Sequence, residues 1–124
     1  MKVEVSNGEI LDKLSILEIK LNNIKDESKI ENVAKEHAVL SEIVSHIPGS
    51  PLALYNDLKA VNEELWEIED KIRIKEKDKK FDQEFIALAR SVYVTNDKRA
   101  EIKKKINVHT GSELLEEKSY ENYS

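Results

Sequence analysis

With 124 residues, 25 acidic and 20 basic side chains, net charge −5 and no cysteine, the chain is read as one domain, residues 1–124, that needs no covalent staple. Thiol catalysis, cysteine-ligated zinc and disulfides are excluded, and a reducing cytoplasm suits the composition. The mildly acidic balance argues against general nucleic-acid binding, and no apolar run reaches signal-peptide or membrane-span length, so no membrane insertion is expected.

Three Gly and two Pro are too few turns for a sheet-rich fold, and strong helix formers dominate, so the expected class is all-α. Val3 and Val5 alternate with polar residues and suggest a short extended opening. Ser6 and Glu9 have capping-box spacing ahead of a helix over about Glu9–Lys25. Its apolar residues Ile10, Leu14, Leu17, Leu21 and Ile24 step by four and three, and Leu11, Ile16 and Ile19 widen the face, so this helix should be central. Ser28 and Glu31 repeat the capping spacing before a second helix, about Lys29–His46. His37 lies on its apolar stripe and reads as a hydrogen-bonded core or boundary residue rather than a ligand. Pro48-Gly49-Ser50-Pro51 breaks the chain. A third helix over about Leu52–Lys77 carries Leu54, Leu58, Val61, Leu65, Ile68 and Ile72. A turn near Lys79-Lys80 leads to a fourth, about Asp82–Ile106, with Asp82 as its cap and Phe81, Phe85, Leu88 and Val92 on its apolar face. Val108–Gly111 reads as irregular, and Ser112 as the cap of a short last helix over Glu113–Lys118. The architecture is two antiparallel helical hairpins, the second one long.

Folded about Lys79-Lys80, the long hairpin sets Glu69 against Arg90, Trp66 against Tyr93, and Asn62 against Asn96-Asp97. With Arg73, and with Asp12 and Lys13 from the first helix, these residues outline a polar seam. Lysine is the default cation here, so the three arginines, Arg73, Arg90 and Arg99, stand out on the long hairpin. A planar guanidinium is favoured where a fork of donors must meet a carboxylate or phosphate. The structural reading pairs Arg90 with Glu69 to lock the hairpin. The functional one makes the seam a pocket for a small anionic ligand, with Arg99 as its exposed donor.

Glu63-Glu64-Leu65-Trp66-Glu67 resembles half of the motif of MazG-type nucleotide pyrophosphohydrolases. Glu63, Glu67 and Asp70 share a helix face able to hold Mg²⁺. The second E-x-x-D of that family has no counterpart in the fourth helix, and the cluster also reads as a solvated face. No cofactor is expected outside that alternative. The opening helix, with Asp12, Lys13 and Lys20, is loosely similar to small all-α chorismate mutases but lacks their arginines.

Several longer strings resemble a single family of small bacterial proteins, a domain of unknown function. They are Glu4–Glu9 with Asp12–Lys20, then Asn62–Arg73, Phe85–Tyr93 with Thr95–Arg99, and Glu116–Tyr120. The resemblance implies an association with surface-polysaccharide and glycosyltransferase genes, assigns no activity, and suggests that the Glu116–Tyr120 tail docks. The residues themselves favour a non-catalytic interaction module, a homodimer or the accessory subunit of a protein partner. The warrant is surplus apolar surface on the first helix and a third helix that outreaches the first hairpin. The alternative is a small-molecule binder or enzyme using a pocket between helices 1, 3 and 4.

Overall fold

The computed structural model describes residues 1–112. Four helices follow in order: α1 (Asn7–Asn23), α2 (Glu27–Val44), α3 (Leu52–Lys77) and α4 (Gln83–Thr110). No strand occurs among the described residues, so the expected all-α class holds. The Val3 and Val5 segment forms no ladder, and Val3 is exposed.

Three of the four helices, α1, α2 and α4, start where a side chain meets orphan N–H groups; α3 starts behind Pro51 with no side-chain cap. The Ser6 hydroxyl accepts from the Glu9 N–H at 3.2 Å. Asp82 accepts from the Phe85 N–H at 2.9 Å. For α2 the cap is Asp26 rather than Ser28: its carboxylate accepts from Ser28 N–H, Ser28 Oγ–H and Lys29 N–H. A charged acceptor outbids a hydroxyl, and these bonds hold the Asp26 carboxyl below its ordinary value. The α3–α4 turn passes through Lys79 in the left-handed region, at φ 54°. Lys75 closes it with ion pairs to Asp82 at 2.9 Å and Glu84 at 3.1 Å.

Helix α4 runs on through Val108 to Thr110, beyond the expected end at Ile106. It stops at Gly111, φ 69°, where the Ser112 N–H bonds back to the Asn107 carbonyl at 2.8 Å. That is a Schellman ending. The extra turn exists because Asn107 and Thr110 are buried against the start of α1. The expected last helix, Glu113–Lys118, and the Glu116–Tyr120 tail lie outside the described residues.

Helix α1 is central and packs on all three others, while α2 packs on α1 alone. Leu11, Leu58 and Ile106 form the heart of the core, flanked by Val44, Ile47, Leu54, Tyr55 and Ile102. Of the residues that widen the apolar face of α1, Leu11 and Ile19 are buried and Ile16 is half-buried. Helix α2 buries no residue fully. The most extensive pairing is between α3 and α4, and their hairpin outreaches α1. Buried positions end at Ile68 on α3 and resume at Thr95 on α4; every residue from Glu69 through Val94 is half-buried or exposed. No helix among the described residues is long and apolar enough to cross a membrane.

Candidate functional site

The polar cluster forms where α1, α3 and α4 meet, not along the free length of the α3–α4 hairpin. Its centre is Asp12, only 1% exposed. One carboxylate oxygen accepts from Asn62 Nδ2 at 2.9 Å and from Arg99 Nε at 2.8 Å. The other accepts from Arg99 Nη2. Asn62 also donates to Ser15 Oγ at 2.7 Å, and Ser15 Oγ donates to the Asp12 carbonyl at 2.7 Å. A buried carboxylate without partners would be very costly; here a forked guanidinium and an amide meet it on three sides.

Toward the open end of the bundle, α4 continues this ladder against α1. Lys103, 7% exposed, donates to Glu9 at 2.7 Å. Asn107 Oδ1 accepts from the Gly8 N–H at 2.6 Å, meeting an N–H that no helical carbonyl reaches. Asn7 Nδ2 donates to Thr110 Oγ1 at 2.9 Å, and the Asn7 N–H donates to Ser112 Oγ at 3.1 Å. Gly8 makes this approach possible: a Cβ there would stand 2.6 Å from the Lys103 carbonyl oxygen. Thr95, Arg99, Lys103 and Asn107 step by four along one face of α4. That spacing was visible in the sequence. Arg99 stands out there as one of three arginines, but nothing local marks Lys103 and Asn107 as buried.

Of the expected seam, three members come together: Asp12, Asn62 and Arg99. The remainder disperse. Lys13 points to α2 and pairs with Glu36 at 2.8 Å. Trp66 is half-buried, Asn96 and Asp97 are half-buried, and Tyr93 is 44% exposed. Glu69, Arg73 and Arg90 are exposed, and no ion pair joins Glu69 to Arg90 among the described residues. The expected shielded pair is thus corrected. Among the described residues no third helix covers the hairpin at that level, and both side chains are exposed. Arg99 is not an outward anion donor either, since its fork grips Asp12.

Glu63 and Glu67 line a shallow cleft of about 250 Å³ with Ile19, Asn22, Asn23 and Trp66. Asp70 is exposed one turn further on. Among the described residues no three or more histidine, aspartate or glutamate side chains converge in a way that could hold a metal ion.

A second polar knot ties α2 down. Glu18 receives Lys59 at 3.1 Å and His37 at 3.5 Å, and His37 also meets Ser41 at 3.4 Å. His37 is therefore the hydrogen-bonded boundary residue expected. Burial pushes the Glu18 carboxyl up, but Tyr55, Lys59 and His37 outweigh it and hold the group below its ordinary value. Burial, and then the Glu18 charge, push the Tyr55 phenol well above its usual range. Its hydroxyl is enclosed and falls short of a well-formed hydrogen bond.

No curated protein and no solved structure matches the chain. A model of a family of unknown function, DUF6165, matches residues 1–123. That span takes in the helical caps, the Asp12–Asn62–Arg99 cluster and the whole long hairpin, and the chain belongs to this family.

Proposed function

We propose that the protein is a non-catalytic interaction module, acting as a homodimer or an accessory subunit, whose contact surface is the part of the α3–α4 hairpin that α1 leaves uncovered. The observation that carries this is the absence of any buried residue from Glu69 through Val94. That stretch displays Ile74, Phe81, Ile86, Tyr93 and Val94 at the surface. Apolar side chains grouped on a projecting element mark a docking surface more often than scattered ones do. The polar cluster supports the same reading, since the Asp12 carboxylate spends its acceptors inside the fold. The cysteine-free composition supports a cytoplasmic setting. A place beside the enzymes of surface-polysaccharide synthesis rests on the family resemblance alone.

The test is photo-crosslinking in cells from a reactive side chain at position 74 or 86, with position 35 on α2 as control. Discrete protein adducts from 74 and 86, and none from 35, are expected. Silence at both hairpin positions would remove the proposal.

The Trp66 cleft, lined by Glu63 and Glu67, favours a second reading, a small-molecule binder. Thermal-shift measurements with Mg²⁺, nucleotides and sugar phosphates separate the two, because a ligand of the folded state must raise its stability. The interaction reading expects no shift.

A further inference from the structure

The outer length of α3 and the turn after it are electrically divided. From Glu63 to Asp70, α3 has five carboxylates and no cation. All five are exposed, and none is in an ion pair among the described residues. From Lys71 through the turn to Lys80 there are six cations against two carboxylates. Of these cations, Lys75 and Lys79 are engaged within the turn. Lys71, Arg73, Lys77 and Lys80 are exposed and without an ion pair among the described residues. Among the described residues, neighbours do not use up this division.

A helix that is acidic along one half and basic along the other is complementary to its own reverse. We propose, resting on the interaction reading above, that the occupant of this surface is a second copy of the same chain, laid antiparallel along α3 about a two-fold axis near Asp70. The stripe Glu63, Glu67, Asp70, Ile74, Lys77 steps by four and three, so it forms one continuous face. Ile74, 59% exposed, lies within it. Overlaying two copies antiparallel sets Lys77 of one against Glu63 of the other, and Ile74 of each against the Trp66–Glu67 segment of its mate. The apolar contact is thereby flanked by opposite charges on both sides. Asp70 meets its own counterpart at the axis, with Lys71 and Arg73 of both copies beside it. The shared length, about 21 Å at 1.5 Å per residue, runs from the mouth of the Trp66 cleft beside the end of α1 to the end of α3. The contact is isologous, so it closes at two copies and does not propagate.

Sedimentation velocity on the full chain tests this with two charge-reversed variants, Glu63→Lys with Glu67→Lys, and Lys77→Glu with Lys80→Glu. The wild type is expected to form a dimer in the micromolar range that weakens as salt rises. Each variant alone should lose at least about tenfold in self-affinity, because like charges then face each other. An equimolar mixture should recover a dimer that contains one chain of each kind. This recovery shows that both variants are folded, and circular dichroism of each supplies a second check. A wild type that stays monomeric up to high micromolar concentration overturns the proposal. So do variants that associate like the wild type, or a mixture that forms no mixed dimer. If the wild type is monomeric while positions 74 and 86 still crosslink to another protein, self-docking fails and the interaction reading stands. If no crosslink forms, both fail.

Discussion

Gly8 shows how closely one residue governs the joint between α1 and α4. Alanine is the better helix former by about 1 kcal/mol, so on propensity Gly8→Ala should stabilise. The geometry says otherwise. The new Cβ would meet the Lys103 carbonyl oxygen at 2.6 Å and Asn107 Oδ1 at 2.9 Å. The nearer atom is backbone and cannot swing away. Overpacking of this kind costs about 1–3 kcal/mol, which outweighs the gain in propensity. Gly8→Ala should therefore unfold at lower urea than the wild type. An increased midpoint would mean that the two helices are not this close.

At the scale of elements, α2 is the weakly held piece. It packs on α1 alone and buries no residue fully. Much of its attachment passes through Glu18 and His37. The folded Glu18 carboxyl lies below its ordinary value. The native state thus binds that proton less readily than the unfolded chain does. Its contribution is present above the ordinary glutamate pKa and is lost as pH falls through the folded value. In urea unfolding at neutral pH, Glu18→Gln should be less stable than the wild type. The gap should narrow as the solution is acidified through the carboxylate range; a gap that widens in acid contradicts this sign.

The same scale shows what the sequence made legible. The four-and-three stripes of α1 and α3, the Ser6 and Asp82 caps and the Pro48–Pro51 break are local signals, and the helices follow them. Which third helix covers a given stretch of a hairpin is not local. Mirror spacing pointed to Glu69 and Arg90, but it counted only two helices. Exposure at that level dissolved the pair, while Asp12, Asn62 and Arg99 met where a third helix lies across. The last turn of α4 was hidden for a related reason. Val108 to Thr110 have weak helical propensity, and tertiary bonds from Asn107 and Thr110 to α1 override it.

At the scale of the whole molecule, the chain divides its labour. The buried ladder around Asp12 joins three helices and is satisfied within the fold, while the hairpin beyond Ile68 bears apolar and charged side chains that stay exposed. Equilibrium urea unfolding tests this division most directly, run on two variants dilute enough that copies do not associate. Asp12→Ala strips the Arg99 guanidinium and Asn62 of their shared partner, and should lose about 3–5 kcal/mol, the cost of breaking a buried pair from one side. Ile74→Glu combined with Ile86→Glu should stay within about 0.5 kcal/mol of the wild type per substitution, as surface changes do. The account is contradicted if Asp12→Ala unfolds with the wild type, for Asp12 would then be held for something other than folding. It is contradicted equally if the hairpin variant loses several kcal/mol, for those side chains would then belong to the core.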